Sequence, residues 1–556
     1  MEGRRPPDWR CAAPPPAPRD SAPPPGRPRA RDWPRPGAPP PALALLPREE
    51  RLLGALLRAS EEAGLGTTVR CAGGWVRDKL LGRESHDIDV ALDNCTGAAF
   101  AESVNASLAA AGEDTHRVAV IRSNPEQSKH LETAKMQVLG VEVDFVNLRS
   151  ETYAQDSRIP TAEFGTPEED ALRRDFTINS LFYNVNASSV EDFSGRGLED
   201  LRRGIIRTPL APQETLLDDP LRALRAVRFA SRYGFTLDAP LAEAAASGTV
   251  RTALASKVSR ERVGQELRGM LDGPDPLGAL ELMRDLLLYE VVFEGPPEWR
   301  ERVPHEHARR CVAACAEALA VVDRLGLELS ADDRRGLLLA AALLPWRGLE
   351  CAGRKGKAQP VAPDIVLRAL KFSKREAEFV QRVHEAGPGL RAAMRDAALP
   401  GPSEGTAAAR VSLGLGLRKL KAAWPVAVVV SSVLCLPEVA AAGEGEASGG
   451  DSPSSPGGVA SVLPLPGAGG TTDGRVEACR GALDAAKAFG LERCWEDPPL
   501  LDGGKVMQAL GLQRGGPQVK AGTEAVVRWQ LAHPEGTEEE CAAWLREAFA
   551  GTDDAV

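Results

Sequence analysis

The sequence lacks the cysteine and histidine patterns that a disulfide framework or a zinc site requires. Its ten cysteines are scattered without a C-x-x-C pair, and the closest spacing joins Cys311 to Cys315. Its seven histidines are equally dispersed. Disulfide-rich scaffolds and zinc modules are therefore excluded, and we expect the cysteines to be reduced thiols of an intracellular protein.

Long apolar runs and an excess of positive charge are also missing. The most apolar stretch, 425-PVAVVVSSVLCL-436, is shorter than the roughly 20 residues that a membrane helix needs. We therefore predict no membrane span and assign this stretch to a core. The net charge is -10, which excludes binding of nucleic acid through a general positive field. Any site for a polyanion must be local.

Two segments have compositions that disfavour a packed core. Residues 1–47 are dominated by proline, alanine and arginine, so they cannot bury enough apolar surface to offset the entropy of ordering. We predict a disordered leader there; a transit peptide for mitochondrion or plastid is the alternative that its arginines leave open. Residues 441–474 are rich in glycine and serine, which predicts a disordered insertion.

The remainder divides into a mixed part and a helical part. After a helical pattern that starts at Glu49, short apolar segments within residues 68–148 predict strands: TVRCAG, DIDVAL, THRVAVI, KMQVLG and VEVDFVNL. We expect the mixed region to end near Tyr183 or Asn184. From Leu216 onward, apolar residues at intervals of three and four predict helices. The fold class is α+β, and the length predicts about two to four domains.

The stretch 70-RCAGGWVRDKLLGRESHDIDVALDN-94 joins a double glycine to two alternating carboxylates. Gly73 and Gly74 let backbone N–H groups approach a phosphate. Asp87 and Asp89 alternate along a strand, so both carboxylates face one side. Like charges held together repel unless a cation lies between them, and a pair of divalent ions on such carboxylates activates a 3′-hydroxyl in polymerases. A plain turn or an exposed acidic pair explains either motif alone; their succession favours nucleotidyl transfer.

The motifs carry a family resemblance. G-G-W-V-R-D-K-L-L-G-R followed by D-I-D resembles the first motif of the class II tRNA nucleotidyltransferases, which comprise the CCA-adding enzymes and bacterial poly(A) polymerase relatives. Further motifs follow in the order of that family: 173-RRDFTINSLFYN-184, 197-GLEDLRRGIIRTP-209, 218-DDPLRALRAVRFASRYGF-235 and 260-RERVGQELRGML-271. Phrases such as VEVDFVNLRSETY and IPTAEFGTPEEDALRRD resemble the eukaryotic branch, and the similarity covers most of the chain beyond residue 50.

The resemblance implies an architecture and an activity. A nucleotidyltransferase head would span residues 48–190, and the hinge and the helical neck that reads the base would span 191–272. A helical body (273–440) and a helical tail (475–556) would follow. The implied reaction adds C, C and A to tRNA 3′ ends from CTP and ATP, with two Mg²⁺ ions as cofactors. Enzymes that add only CC, only A or an oligo(A) tail share these motifs. An inactive RNA-binding protein is the alternative from another class, and the retained carboxylate pair disfavours it.

The resemblance also assigns roles to individual residues. Asp87 and Asp89 are the implied catalytic residues and metal ligands. The implied nucleotide-binding residues are Gly73, Gly74, Arg77, Arg174, Asp219, Arg222, Arg225 and Arg228. Four further candidates are Asp144, Arg173, Asp175 and Asn179. The base-reading helix departs from the family pattern, because Asp218 stands where a glutamate is usual. A helix cap is the alternative role for Asp218, and ordinary surface charge is the alternative for the arginines.

Base selection and RNA binding complete the hypothesis. Asp219 and Arg222, three residues apart on one helix, could together read the edge of an incoming base. RNA would lie along local cations, and clustering suggests Arg196, Arg202, Arg203, Arg309, Arg310, Arg354, Lys355 and Lys357. The loop 122–134, with Lys129, His130 and the nearby Lys135, predicts either a mobile element over the site or plain surface disorder. Cytoplasm or nucleus is the expected compartment, and the motifs leave the oligomeric state unspecified.

Overall fold

The computed structural model describes residues 42–121, 133–152, 161–300, 307–353, 356–397, 404–433 and 471–549. Most of the predicted leader and of the predicted insertion therefore lies outside the described residues, as do Lys129, His130, Arg354 and Lys355. The chain divides into two compact units. The first takes in the described residues up to Arg222 together with Tyr233–Ala244, and the second takes in Ala223–Arg232 and the described residues from Ala245 onward.

A mixed sheet organises the first unit. The strands, in chain order, are β1 (Val69–Ala72), β2 (Ile88–Leu92), β3 (Ala119–Ile121), β4 (Thr133–Val138), β5 (Val141–Asn147), β6 (Arg149–Thr152), β7 (Thr161–Phe164), β8 (Phe182–Asn184), β9 (Ser189–Glu191), β10 (Ile205–Ile206) and β11 (Thr236–Leu237). The 7-stranded sheet has the order β3-β4-β5-β2-β1-β8-β9. Its β2–β5 pair is parallel, and its other neighbours are antiparallel. The strands β6 and β7 form a separate antiparallel pair, and β10 pairs with β11 in parallel.

Helices alternate with these strands along the chain. They are α1 (Pro47–Glu62), α2 (Gly74–Leu80), α3 (Gly97–Ala110), α4 (Pro167–Leu172), α5 (Gly197–Arg203), α6 (Pro212–Asp218), α7 (Leu221–Tyr233) and α8 (Ala239–Ala245), with a 3₁₀ turn at Thr177–Asn179. The apolar face of α1, which includes Leu52 and Leu56, is fully buried, and α1 packs against α3. Phe100 of α3 contacts Phe145 of β5 with ring centroids 5.5 Å apart. Helix α7 continues into the second unit.

The second unit is almost entirely helical in its described part. Its further elements are α9 (Gly248–Lys257), α10 (Arg260–Leu271), α11 (Pro276–Asp285), α12 (Tyr289–Val292), α13 (Pro297–Arg300), α14 (His307–Leu325), α15 (Ala331–Ala342), β12 (Glu350–Ala352), β13 (Ala358–Pro360), α16 (Val361–Asp364), α17 (Lys374–Ala397), α18 (Glu404–Leu420), α19 (Trp424–Val433), α20 (Thr472–Ala488), α21 (Gly503–Leu510), α22 (Pro517–Ala532) and α23 (Glu538–Phe549). Residues 426–433 of α19 are buried, so the most apolar stretch belongs to a core as predicted. None of the helices in the described ranges is both long enough and apolar enough to cross a bilayer.

The α+β class and the strands β1 to β5 are as predicted, with two corrections to the boundaries. The sheet does not end near Tyr183 or Asn184: these residues lie in β8, and β9 extends the sheet to Glu191. The predicted limit of the head at residue 190 therefore falls inside a strand. At the end of the predicted insertion, Thr471 caps α20, so its last residues are helical. The described cysteines are free thiols, as expected.

A buried ion pair ties α1 to the helix that follows the double glycine. Glu49 Oε2 lies 2.5 Å from Lys79 Nζ, and both side chains are buried. The same carboxylate oxygen accepts a hydrogen bond from Leu46 N at 2.7 Å, and Lys79 Nζ donates to Ala44 O at 3.4 Å. The residues from Ala44 onward therefore belong to the folded head, which places the end of the dispensable leader before the predicted limit at residue 47.

We accordingly expect deletion of residues 1–41 to leave the melting temperature unchanged, whereas Glu49→Gln should lower it clearly. Removing one partner of a buried ion pair leaves the other charge uncompensated, at a cost of about 3–5 kcal/mol. The neighbouring exposed Glu50 supplies the control, since Glu50→Gln should have little effect. Circular dichroism recorded during heating gives the melting temperatures of the deletion variant, Glu49→Gln and Glu50→Gln. Equal melting temperatures for Glu49→Gln and Glu50→Gln would show that the pair does not stabilise the head.

Candidate active site

Strand β2 places the acidic pair in the middle of the sheet. Asp89 lies opposite Ala72 of β1 on one side and opposite Asp144 of β5 on the other. Asp87 immediately precedes the strand and is exposed, while Ile88 between the two carboxylates is buried. The alternation predicted from DIDVAL is therefore present at residues 87–89, and Asp89 and Asp144 are adjacent across two paired strands.

The electrostatics of Asp89 reflect this crowding. Burial, as the largest cause, and then the negative charges of Asp87 and Asp144 raise the pKa of Asp89 from 3.8 to about 6, although Arg174 and Lys135 act in the opposite direction. A raised carboxyl pKa means that the surroundings disfavour the ionised form of the carboxyl group. A cation bound beside Asp89 would stabilise the ionised form.

Asp144 already has a cationic neighbour. Lys135 of β4 stands opposite it in the sheet, with Nζ 3.3 Å from Asp144 Oδ1, and also pairs with Glu142. Among the described residues, no three or more histidine, cysteine, aspartate or glutamate side chains are grouped so that they could hold a metal ion. Magnesium, however, is commonly bound by one or two carboxylates and completes its shell with water and substrate phosphates. The oxygen donors of Asp87 and Asp89 fit that mode of binding.

The first glycine of the double glycine makes room for an arginine. Gly73 has a φ of +67°, and a Cβ atom built on it would lie 2.6 Å from Arg174 Nη1. Its own N–H donates to Leu181 O at 2.9 Å. Both the backbone conformation and the close approach of the guanidinium therefore require glycine here. That backbone N–H groups of Gly73 and Gly74 contact a phosphate stays a prediction.

The buried carboxylate of Asp170, which was not predicted from the sequence, binds the two arginines of the RRD motif. Asp170 of α4 is 1% exposed. Its Oδ1 accepts from Arg173 Nε at 3.0 Å, and its Oδ2 accepts from Arg174 Nε at 2.9 Å and Nη2 at 2.8 Å. Burial alone would raise the pKa of Asp170, but the guanidinium groups of Arg174 and Arg173 outweigh it and lower the pKa. The spacing D-x-x-R-R, which places acid and bases on one helix face, is the signal that could have identified Asp170.

Arg77 is held in a second network, and it is only 5% exposed. Its Nε and Nη2 each donate to Asp78 at 2.9 Å, and its Nη1 donates to Asn179 Oδ1 at 2.5 Å. Asn179 Nδ2 in turn donates to Asp175 Oδ1 at 2.9 Å, and the Tyr233 hydroxyl donates to Asp78 Oδ1 at 2.9 Å. The structure thus brings Arg77, Asn179 and Asp175 together as predicted candidates, and it adds Asp78 and Tyr233. The predicted contact of Arg77 with the nucleotide stays a prediction.

The residues predicted to read the base lie at the start of α7. Asp219 precedes the helix rather than lying in it: its Oδ1 accepts from Leu221 N at 3.3 Å, and its carbonyl accepts from Arg222 N at 3.0 Å. Arg222 is buried, and its Nη2 donates to Arg173 O at 2.8 Å. Asp218 is the last residue of α6, so the capping contact falls to Asp219 and not to Asp218. Arg222 therefore contacts the same segment that carries Arg174.

The other two arginines of α7 belong to the second unit. Arg228 Nε lies 2.5 Å from Glu266 Oε2, and Arg225 Nη1 lies 3.7 Å from Glu266 Oε1. Both guanidinium groups also lie over the ring of Phe229, at 4.5 and 5.4 Å. These contacts give Arg225 and Arg228 a structural role in the helical unit, and their predicted contact with the nucleotide stays a prediction.

Comparison with known proteins agrees with the motifs. Residues 69–207 match the family described as the Poly A polymerase head domain. A tRNA nucleotidyltransferase of Schizosaccharomyces pombe is 33% identical over 485 residues, which cover 86% of this chain and 92% of that protein. The mitochondrial CCA tRNA nucleotidyltransferase of Saccharomyces cerevisiae is 33% identical over 516 residues, 86% of this chain and 88% of that protein.

A solved structure supports the fold independently. The CCA-adding enzyme of Bacillus stearothermophilus in complex with CTP superposes with a TM-score of 0.58 at 20% sequence identity, over 92% of this chain and 99% of that chain. At this identity the likeness concerns the fold alone. The sequence relatives carry the functional argument.

Proposed function

The chain belongs to the tRNA nucleotidyltransferase family, and from this premise we propose that it adds C, C and A to tRNA 3′ ends from CTP and ATP without a template. The observation that carries the proposal is the acidic pair Asp87 and Asp89 at the centre of the sheet, with the charge of Arg174 coupled to it. The relatives named above are tRNA or CCA tRNA nucleotidyltransferases, which supports this substrate.

The carboxylates would hold the metal. Two Mg²⁺ ions at Asp87 and Asp89 would polarise the 3′-hydroxyl and neutralise the departing pyrophosphate. Arg174, held by two hydrogen bonds to Asp170 Oδ2, presents a cation beside Gly73 that attracts the triphosphate. Because Asp170 is buried and ionised, it holds this guanidinium in one orientation before substrate arrives. The protein groups therefore bind and orient the nucleotide without rearrangement.

We propose different functions for the two units. We assign nucleotidyl transfer to the first unit and tRNA binding to the helical residues that follow the neck. Since the whole chain carries a net charge of -10, local cations must hold the RNA. Of the candidates for that role, Arg202 is paired with Glu199 at 2.5 Å.

Extension of defined tRNA ends tests the activity. With CTP alone we expect transcripts that end in the discriminator base to gain two cytidines, and with ATP alone we expect only transcripts ending in CC to gain one adenosine. Products that stop after CC would indicate a CC-adding enzyme, and incorporation of A alone would indicate an A-adding enzyme. Oligo(A) tails would indicate a poly(A) polymerase of the same fold. Binding of tRNA without incorporation of any nucleotide would indicate an inactive RNA-binding protein and overturn the proposal.

The compartment forms a separate part of the proposal. We place the enzyme inside the cell, in cytoplasm or nucleus, with delivery to mitochondrion or plastid through residues 1–47 as the alternative. The relative from Saccharomyces cerevisiae is named as mitochondrial, which supports testing the alternative directly. A fluorescent protein fused behind residues 1–47 reports the destination.

A further inference from the structure

A cavity of about 760 Å³ lies between three helices of the second unit. Residues of α17 and α18 line most of it, and the end of α22 completes the lining. Arg410 links two of these helices, because its Nε donates to Leu531 O at 2.7 Å. The volume falls within the range of about 300–1,000 Å³ that is usual for small-molecule sites.

Small residues leave this space between the helices unfilled. Five of the described lining positions carry at most a methyl group: Ala386, Ala407, Ala408, Gly416 and Ala532. A Cβ atom built on Gly416 would lie 3.8 Å from Leu390 Cδ1, which is an ordinary contact distance, so position 416 has room for a side chain. Protein interiors are normally close-packed, and a space of this size between packed helices therefore suits an occupant.

The uncharged part of the lining is aliphatic. Leu390, Val411 and Leu415 supply its larger apolar side chains, and Val411 and Leu415 are only half-buried. None of the lining residues in the described ranges is aromatic. Nucleobases are commonly held by stacking on aromatic rings, so this lining suits an alkyl chain better than a base.

Positive charge accompanies the aliphatic lining. Arg382, Lys419 and Arg528 line the cavity together with one carboxylate, Glu385, which accepts from Gln381 Nε2 at 2.8 Å. Lys419 and Arg528 are exposed and can therefore meet a ligand that arrives from solvent. Within the part of the chain that the structure describes, Arg382 Nε has no hydrogen-bond partner. Three cations against one carboxylate favour an anionic occupant.

We propose that this cavity binds a long-chain aliphatic acid. The alkyl chain lies against the leucine and valine side chains, and the acidic group pairs with the guanidinium and ammonium groups through charge-assisted hydrogen bonds. Such a ligand uses both halves of the lining, whereas a purely polar anion would leave the aliphatic half without a partner. The proposal goes beyond nucleotidyl transfer and does not depend on it, because every lining residue belongs to the second unit.

Calorimetric titration of the full chain with octanoate, decanoate and dodecanoate tests the proposal. Below the concentration at which it forms micelles, dodecanoate should bind in a one-to-one ratio. Burial of one CH₂ group is worth up to about fourfold in affinity, so the shorter acids should bind progressively more weakly. Dodecyltrimethylammonium has the same chain and a positive head, and it should not bind. Equal affinities for the three acids, or binding of the cationic analogue, would overturn the proposal.

Two glycine substitutions locate the site. Gly416→Leu places a side chain in the cavity and should abolish binding of dodecanoate. Gly481→Leu is the matched control, because Gly481 lies inside another helix, α20, and a Cβ atom built on it meets no atom of the described residues within 4 Å. Replacing an interior glycine favours the helix, so neither variant should melt below wild type. Unchanged binding by a folded Gly416→Leu would exclude this cavity as the site.

Charge substitutions distinguish an aliphatic acid from RNA as the occupant. Arg382→Gln and Arg528→Gln each remove a cation but keep a polar side chain, and each should weaken binding of dodecanoate roughly threefold to tenfold. Filter binding of tRNA to the same variants supplies the comparison. Weaker binding of tRNA together with wild-type affinity for dodecanoate would assign the cations to RNA and contradict the proposal, whichever glycine variants fold.

Discussion

Asp89→Asn should lower the rate of nucleotidyl transfer by on the order of a thousandfold or more, and Asp87→Asn should do the same. Metal ions stabilise charge in such a transition state by several kcal/mol, and each factor of ten in rate corresponds to about 1.4 kcal/mol. An amide of the same size as the carboxylate cannot neutralise a divalent ion. Because we assign tRNA binding to other residues, the affinity for tRNA should remain close to that of wild type. Single-turnover extension and filter binding measure the two quantities.

The same substitution should not weaken the fold, which separates loss of chemistry from loss of structure. The pKa of Asp89 is raised from 3.8 to about 6 by burial first and then by Asp87 and Asp144. A folded-state pKa above the unfolded value means that the ionised carboxylate costs stability above about pH 6. Asparagine is neutral and removes that cost, so the melting temperature of Asp89→Asn near neutral pH should equal or exceed that of wild type.

Asp93→Asn is the matched control for this prediction. Asp93 follows the other end of β2, where it accepts from Thr68 N at 3.1 Å and pairs with Arg70 at 3.5 Å. The change is chemically identical to Asp89→Asn and lies in the same part of the sheet. Transfer by Asp93→Asn should stay within a few-fold of wild type. Substantial turnover by Asp87→Asn or Asp89→Asn in magnesium would refute the assignment of the metal ligands.

Strands β4 and β5 could be predicted because more and less buried residues alternate along them, and β2 could be predicted from the alternation of polar and apolar residues at its start. In DIDVAL, Ile88 and Val90 are buried while Asp89 is half-buried, and this period of two is visible in the letters. The strands β8 and β9, of three residues each, were not predicted, because neither lies in a longer apolar segment such as THRVAVI, which contains the equally short β3. β8 pairs instead with β1, which precedes it by more than a hundred residues, and β9 pairs with β8, in both cases through backbone hydrogen bonds that any sequence can make.

The acidic pair could be found from sequence, but its supporting contacts could not. Asp87 and Asp89 are close in the chain, and a pair of carboxylates directly suggests a metal site. Of the partners of Arg77, Asp78 is its neighbour in the chain, but Asn179 is 102 residues away and supplies a side chain of ordinary polarity. Tyr233 is 155 residues from Asp78. Such contacts arise from the tertiary fold. The requirement for glycine at position 73 could not be predicted fully either, because it depends partly on Arg174, which occupies the space that a side chain at this position would need.

Selection of C and A over U and G without a template calls for protein groups that complement one base edge. On their Watson–Crick edges, cytosine and adenine both present an exocyclic amine beside an unprotonated ring nitrogen. Uracil and guanine present a carbonyl beside a ring N–H. A carboxylate only accepts and a guanidinium only donates, so together they match the first pair of bases and oppose the second. Asp219 and Arg222 are the pair that we propose for this role.

The structure constrains how this pair can act. Asp219 lies one residue before Pro220 and caps α7, and Arg222 is anchored on the carbonyls of Arg173 and Thr215. Both side chains are thus attached to backbone groups of the first unit, which also carries Asp87 and Asp89. A guanidinium has five N–H donors and a carboxylate has about four acceptor positions. These anchors therefore orient the two groups.

Replacing both Asp219 and Arg222 should remove the preference for CTP and ATP over UTP, whereas nucleotidyl transfer itself should continue. A mismatched polar group costs about 1–3 kcal/mol, so two together reject a wrong base by roughly a hundredfold or more. Asp219→Ala with Arg222→Ala should lower incorporation of CTP and ATP far more than incorporation of UTP, as measured by single-turnover extension with each nucleotide. Arg222→Ala also leaves a buried carbonyl without its donor, so Asp219→Asn is tested in parallel. An amide can donate as well as accept, so this variant removes the mismatch with the uracil carbonyl and should raise UTP incorporation in part, while Arg222 still opposes the uracil ring N–H. Equal losses for all four nucleotides would make the pair structural, and an unchanged ratio of CTP to UTP would place base selection in other residues of the neck.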